Sequence, residues 1–347
     1  MLMKKLRKDT KFMKIIVDGM GGDNAPLEIL KGCEKAVEML NIDIIITGRQ
    51  NVLLKLMEEH EINNSRITIV NAPDIISMED SPVSVLKEKA NSSMGVGLQL
   101  LRDGKGDAIV SAGNTGALLA GGTLIVKRIK GVKRAALAPL LPSKTGHTML
   151  IDCGANVECR ADFLDQFGLM GSVYMRKVMN IQSPRVGLAN NGTEETKGTD
   201  LYIEAYKLLK ENKNINFVGN IEGRGLLGGE CDVFVSDGFT GNLVLKTVEG
   251  AGLLFMDLIR SLFTKNILSK VTALILKKDL RIFKKRLDYT ETGGAVLMGL
   301  SKPIIKAHGN STVNSFKNAI EQAVNFTKAG VIGEIAQILE TNNNSEE

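Results

Sequence analysis

A chain of 347 residues has room for one large α/β body with an ample core. With 44% hydrophobic and 24% charged residues it has the make-up of a soluble globular protein, and its net charge of +5 is modest. Aromatic residues reach only 4% with no Trp, which makes the core aliphatic and excludes a base-stacking platform for single-stranded nucleic acid. Cys33, Cys153, Cys159 and Cys231 form no C-x-x-C pair, and His60, His147 and His308 do not cluster near them at zinc spacing. Reduced structural thiols in a cytoplasmic protein, without a metal, are therefore expected.

Taken in chain order, MLMKKLRKDTKF is basic but lacks the apolar centre of a secretory signal. Residues 1–12 are expected to be a disordered extension, with Met13 as an alternative start. Ile15–Val17 is an apolar run that enters DGMGGDNAP (Asp18–Pro26), and Pro26 suits the first turn of a helix over Leu27–Leu40. A strand at Ile42–Ile46, a helix to about Glu61 and a strand at Ile67–Val70 follow. After SMEDSP (Ser77–Pro82), a helix covers Ser92–Leu101, and Ala108–Val110 enters SAGNTGALLAGG (Ser111–Gly122). The helix Gly116–Ile129 is so rich in Ala and Gly that a close neighbour is expected. Next comes a basic cluster, Lys127, Arg128, Lys130, Lys133 and Arg134, which reads as solvated surface or as a dock for an acidic partner.

Leu137–Leu141 and Thr148–Ile151 read as an antiparallel hairpin whose second strand ends in DCGAN (Asp152–Asn156). The helix Asp162–Met179 carries Phe163, Phe167 and Met170 on its core stripe. Val186–Ala189 enters NNGTEETKG (Asn190–Gly198), a helix spans Asp200–Lys210, and Phe217–Val218 enters GNIEGRG (Gly219–Gly225). Val233–Val235 enters SDGFTGN, after which helical spacing resumes. Arg260–Tyr289 interleaves apolar residues with many Lys and Arg; it is too charged to span a bilayer, but suits an anionic membrane surface or a partner subunit. A small-residue segment begins at Gly293, Ile304–Ile305 is a last strand before His308–Ser311, and helices cover Ser315–Thr327 and Gly330–Leu339. Residues 341–347 are expected to be a disordered tail.

Six of these apolar runs end in Gly, Asn, Asp or Ser. In an open parallel sheet such ends share the edge where ligands bind, so a shared anion-binding cleft is expected. The dinucleotide fingerprint, the P-loop and the nucleophile elbow are all missing in their proper context, which leaves no obvious covalent nucleophile. Lys197, in a loop, is a candidate phosphate holder; Asn242 and Asn114 can donate side-chain N–H bonds to an oxyanion. His308 follows a strand and precedes Gly309, a setting for acid–base work or phosphate contact.

In this order, MKIIVDGMGGDNAP, SAGNTGALLA, DCGAN, NNGTEETKG, SDGFTGNLVLKTVEG and AHGNS resemble the phosphate acyltransferases of bacterial phospholipid synthesis, from about Met13 to about Leu339. The resemblance implies a three-layer, Rossmann-like α/β fold with a mostly parallel sheet, of the isocitrate/isopropylmalate dehydrogenase type. A single catalytic domain over 13–340 would carry an inserted amphipathic helical arm at about 258–288. It implies transfer of a long-chain acyl group from acyl carrier protein to inorganic phosphate, by direct attack on the thioester and without a cofactor. Lys197, Asn242, His308 and Asp237 are the implied catalytic residues. Asp18, Gly21, Gly22, Asn24, Gly113, Asn114, Thr115, Gly116, Asn156, Asn191, Glu194, Gly241 and Ser311 are the implied substrate and phosphate contacts. Leu262, Phe263, Ile267, Leu268, Leu274 and Ile275 are the implied membrane contacts. The expected partners are acyl carrier protein, a second copy of the chain, the inner face of the membrane and a membrane glycerol-3-phosphate acyltransferase, with no nucleic acid. A short-chain phosphotransacetylase, a non-enzymatic membrane scaffold and an NAD-linked dehydrogenase are the alternative readings.

Overall fold

The computed structural model describes residues 12–62, 65–280 and 292–346. In chain order its strands are β1 (Lys14–Asp18), β2 (Asp43–Gly48), β3 (Ile67–Asn71), β4 (Ala108–Ser111), β5 (Ala136–Ser143), β6 (Gly146–Ile151), β7 (Arg185–Asn190), β8 (Asn216–Glu222), β9 (Val233–Val235), β10 (Gly294–Met298) and β11 (Ile304–Ala307). The helices are α1 (Leu27–Leu40), α2 (Gln50–Glu59), α3 (Ser93–Arg102), α4 (Thr115–Gly121), α5 (Ala161–Lys177), α6 (Asp200–Glu211), α7 (Gly223–Gly228), α8 (Gly238–Thr264), α9 (Ile267–Ile275), α10 (Val313–Ala329) and α11 (Val331–Glu346). The chain forms two compact units, one from residues up to Val126 plus Ile304–Thr327, the other from Lys127–Pro303 plus Lys328–Glu347.

In the first unit the strand order is β3-β2-β1-β4-β11, and every pair is parallel. Ile15, Ile16, Val17, Ile109, Val110, Ile304 and Ile305 are fully buried, as unbroken aliphatic runs are when both faces of a parallel sheet are covered. α1 turns Ile29, Leu30, Cys33 and Ala36 inward. It meets α10 where Gly32 faces Phe316, and the Glu28 carboxylate accepts the Val313 N–H at 2.9 Å. The neighbour expected for the Ala/Gly-rich helix is Leu98 of α3, which leaves no room for a Cβ on Gly121. That helix is shorter than expected: a π turn at Gly122–Val126 closes it and Lys127 takes φ 75°, outside the helical region.

In the second unit the order is β10-β5-β6-β9-β7-β8, with β5 antiparallel to both β6 and β10 and the other pairs parallel. The expected hairpin is present as β5–β6. α5 buries Phe167, Met170, Val173 and Tyr174, and its Gly168 and Gly171 let it close on Leu209 and Val233. Glu334 of α11 joins this packing by pairing with Arg176 and with Lys177 at 2.8 Å.

Two further expectations need correction, and one segment left without an assignment takes a definite form. GNIEGRG is not a loop: β8 continues to Glu222, and α7 takes up the rest. The strand absorbs its glycine at a bulge, where the register skips Val218 and Gly219 carries φ 95°. The segment after Gly293 is the wholly buried strand β10, paired with β5. The helix α11 runs on to Glu346, through most of the stretch assigned to a tail. Residues 1–11 of the expected N-terminal extension lie outside the described residues.

α8 is one continuous helix of 27 residues, yet only Gly238, Gly241 and Leu245 are buried. α9 buries nothing. Leu262, Ile267, Leu268, Leu274 and Ile275 stand exposed, Ile267 by as much as 81%. Phe263 is half-buried and lines an open groove of about 680 Å³ with Met256, Ile259 and Leu274. Among the described residues no helix is long and apolar enough to cross a membrane. The arm expected at 258–288 is described only to Leu280.

Candidate functional site

Parallel strands put their C-terminal ends on one edge, and in the first unit three loops interlock there. Asp23 N–H donates to the Gly309 carbonyl at 2.8 Å, and Asn24 Nδ2 reaches the carbonyls of Asn310 (3.1 Å) and Ser311 (3.2 Å). Gly22 has φ 101°, and a Cβ there would press on Ala112 and on the Gly309 carbonyl. Lys306 Nζ donates to the Ala307 carbonyl at 2.5 Å and to the Ala112 carbonyl at 3.4 Å. The loops after β1, β4 and β11 are thus one assembly. It contains Asp18, Gly21, Gly22, Asn24, Gly113, Asn114, Thr115, Gly116, His308 and Ser311.

Several of these candidates are committed to holding the assembly together rather than to a ligand. Asp18 is 1% exposed and accepts the Ser111 hydroxyl at 2.7 Å and the Met20 N–H at 3.3 Å. Burial pushes its carboxyl above the usual range, against the pull of those hydrogen bonds. Asn114 caps α4 by accepting the Ala117 N–H at 3.0 Å, and its amide N–H groups go to the carbonyls of Ser77, Met78 and Asp80. It therefore pins the 77–80 segment and has no donor left for an oxyanion. The Ser311 hydroxyl is likewise engaged, on the His308 carbonyl at 2.6 Å. Thr115 and Gly116, in the first turn of α4, remain half-buried.

The second unit has its own assembly, built on Asp152 at the end of β6. Asp152 is fully buried and accepts N–H bonds from Leu137 (2.8 Å), Ala155 (3.2 Å) and Asn156 (2.7 Å), plus the Asn156 side chain at 3.0 Å. Burial again raises its carboxyl above the usual range. Asn156 also donates to the Ala135 carbonyl at 2.8 Å, and its own carbonyl accepts the Gly238 N–H at 2.8 Å. Asn156 is thus structural, not a free contact for phosphate. Gly238 and Gly241 sit so close to Asn156 and Asp152 that neither has room for a Cβ, which explains both glycines of SDGFTG.

Asp237 caps α8: its Oδ1 accepts the Thr240 N–H at 2.8 Å and its Oδ2 the Thr240 hydroxyl at 2.7 Å. The Tyr202 hydroxyl donates to the same Oδ2 at 2.5 Å. Burial pushes the Asp237 carboxyl up, but these hydrogen bonds outweigh it and hold the group below the usual range. With the Gly238 and Thr240 N–H groups engaged, the start of α8 offers no open nest to an anion. This removes the backbone of the SDGFTGN turn from the anion-binding groups expected at the six strand ends.

What remains available lies on side chains. Asn242, one turn into α8, is exposed, and among the described residues its amide makes no hydrogen bond. Lys197 is exposed too, on a loop whose backbone is fastened: Asn190 Nδ2 donates to the Lys197 carbonyl at 3.1 Å and the Lys197 N–H to the Glu194 carbonyl at 3.1 Å. Asn191 and Glu194 stand exposed on the same loop. Cys159 is half-buried beside Asn156, and burial pushes its thiol up to about 11, so it stays a neutral thiol at neutral pH. Among the described residues no group of three His, Cys, Asp or Glu could hold a metal ion.

Sequence reasoning missed Tyr202, Asp152, Ser111 and Lys306. Asp152 opens the quoted DCGAN motif, and Tyr202 follows the Lys197 loop by a few residues, so both lay within reach of the same motifs.

A family model described as fatty acid synthesis protein matches residues 13–334. The phosphate acyltransferase of Clostridioides difficile strain 630 is 45% identical over 340 residues, covering 96% of this chain and all of that protein. The phosphate acyltransferase of Clostridium novyi strain NT is 46% identical over 329 residues, 94% of this chain and 99% of that one. In fold the chain is similar to a phosphotransacetylase from Streptococcus pyogenes, with a TM-score of 0.63 at 17% identity over 93% of this chain and 95% of that chain. The chain belongs to the phosphate acyltransferase family and is a transferase acting on acyl groups.

Proposed function

We propose that this acyltransferase moves a long-chain acyl group from the thioester of acyl carrier protein to inorganic phosphate. The acyl phosphate so formed would feed a membrane glycerol-3-phosphate acyltransferase early in bacterial phospholipid synthesis. One observation carries the reading. The Tyr202–Asp237 hydrogen bond ties the start of α6, which follows the Lys197 loop, to the start of α8, which bears the uncommitted Asn242 amide. A cation and an oxyanion donor are thereby held on one framework.

In this mechanism Lys197 binds phosphate and one phosphate oxygen attacks the thioester carbonyl carbon. Asn242 donates to the oxygen that becomes negative. As the intermediate collapses the C–S bond breaks, and the carrier thiol leaves with the proton that the attacking phosphate gives up. A neutral Cys159 favours this direct attack over a thioester on the enzyme. Asp237 orients the framework from its cap. In the first unit, Thr115, Gly116 and His308 belong to a loop assembly suited to phosphate.

The outer part of α8 with α9 supports a peripheral seat on the inner face of the membrane, and a homodimer. Exposed apolar side chains stand there beside Arg260, Lys265, Lys270, Lys277 and Lys278. The test is to trap acyl phosphate with hydroxylamine, using palmitoyl-carrier protein and phosphate as substrates. Phosphate-dependent product matched by released carrier thiol is expected, and Lys197→Ala should lose most turnover and need more phosphate. No product from any acyl donor, by a protein that still binds anionic liposomes, would leave the scaffold reading instead.

A further inference from the structure

The stretch from Lys127 to Arg134 is fastened to the second unit at several points. The Ile129 N–H donates to the Gly299 carbonyl at 3.0 Å, and the Ser301 N–H to the Lys127 carbonyl at 2.9 Å. Gln166 of α5 clamps it from both sides, accepting the Lys133 N–H at 2.8 Å and donating to the Gly131 carbonyl at 2.9 Å. The Arg128 guanidinium closes the loop on the Lys133 carbonyl. Ile129 and Val132 point inward at 5% exposure each, while Lys127, Arg128, Lys130, Lys133 and Arg134 are all exposed.

The result is a built platform of one sign. Arg160 extends it, since its guanidinium and that of Arg134 lie 4.8 and 5.7 Å from the Phe163 ring centre. Asp162 answers two of these charges, pairing with Lys133 at 2.7 Å and Arg160 at 2.5 Å. Lys127, Lys130 and Arg134 pair with no carboxylate among the described residues. The platform also adjoins the candidate site: Ala135, next to Arg134, gives its carbonyl to Asn156, and Leu137 gives its N–H to Asp152.

We infer that this platform is the docking face for an acidic protein that carries the acyl thioester, an inference that rests on the carrier-protein reading above. Its charges are spread over an exposed surface and converge on no buried pocket, which suits steering of a protein face rather than capture of a phosphate ion. The other basic patch, Lys265–Lys278, displays apolar residues where this one buries them. That contrast assigns the arm to a membrane and the platform to a protein.

The test is direct binding of a fluorescent acidic acyl carrier protein to the full chain, at low and high salt. The double variant Lys127→Glu/Lys130→Glu should raise Kd about tenfold or more and flatten the salt dependence. Lys277→Glu/Lys278→Glu should leave Kd unchanged. Should the first pair melt early, Lys130→Gln serves in its place with a smaller shift in the same direction. Unchanged carrier affinity in the platform variants, loss in the arm variant, or no salt-sensitive binding by the wild type overturns the inference. A wild type that binds the carrier but forms no hydroxylamine-trapped product defeats the proposed reaction and leaves the docking face standing.

Discussion

Three asparagines show how little a residue type says until its partners are known. Asn114, Asn156 and Asn242 all come shortly after apolar strands in Gly-rich stretches, yet two of them have their amides tied to backbone carbonyls or to Asp152. Asn242 alone keeps an exposed amide, and its removal isolates catalysis from folding. Asn242→Ala should lower kcat about 10²–10³-fold with an unchanged melting temperature, the loss expected for one oxyanion donor. A fall in kcat under threefold, roughly, would remove Asn242 from that role. Asp152→Asn does the opposite: it points an amide at donors that need an acceptor, and should cost about 2–3 kcal/mol in urea unfolding. These commitments were not legible in the sequence, because the groups that hold Asn114 lie more than thirty residues away, at Ser77, Met78 and Asp80. The positions of Asp237 and Asn242 were legible, since an Asp before a Gly-rich turn and a resumed helical period is a local signal.

At the scale of elements, periodicity locates α1, α5 and five of the six strand-to-turn junctions, where burial alternates or runs unbroken. It fails where tertiary pairing decides. GAVLM forms β10 because β5 offers a partner edge, and Gly219 reads as a loop because a bulge uses the same residue as a turn. The outer half of α8 and the whole of α9 present the reverse difficulty: they are apolar, yet exposed. Ile267→Asp with Leu268→Asp should therefore shift stability by less than about 0.5 kcal/mol, as exposed changes do. The same pair should abolish flotation with anionic liposomes. Flotation that survives, together with a halved mass in sedimentation, would show that the arm meets a second copy instead.

For the molecule as a whole, fully buried carboxylates and half-buried, ion-paired ones respond to acid in opposite directions. Asp18 and Asp152 are raised above 3.8, so the folded state binds their protons more readily, and their contribution declines as pH rises from 3.8 through the folded values. Asp80, held to about 2 by Lys89, and Asp162, held to about 2 by Arg160, contribute fully above 3.8 and lose that contribution as pH falls toward about 2. Asp80→Asn with Asp162→Asn should thus lower stability at pH 5 and shallow its decline below pH 3.8, read from urea midpoints. The path of the chain adds a consequence in time. The first unit receives β11 and α10 from Ile304–Thr327, and the second receives Glu334 and its ion pairs from Lys328–Glu347. A nascent chain that has reached Pro303 owns neither the strand that covers the β4 edge nor the helix that covers Gly32. Both units stay open until Ile304–Glu347 has left the ribosome, so synthesis that stalls before it exposes two cores at once.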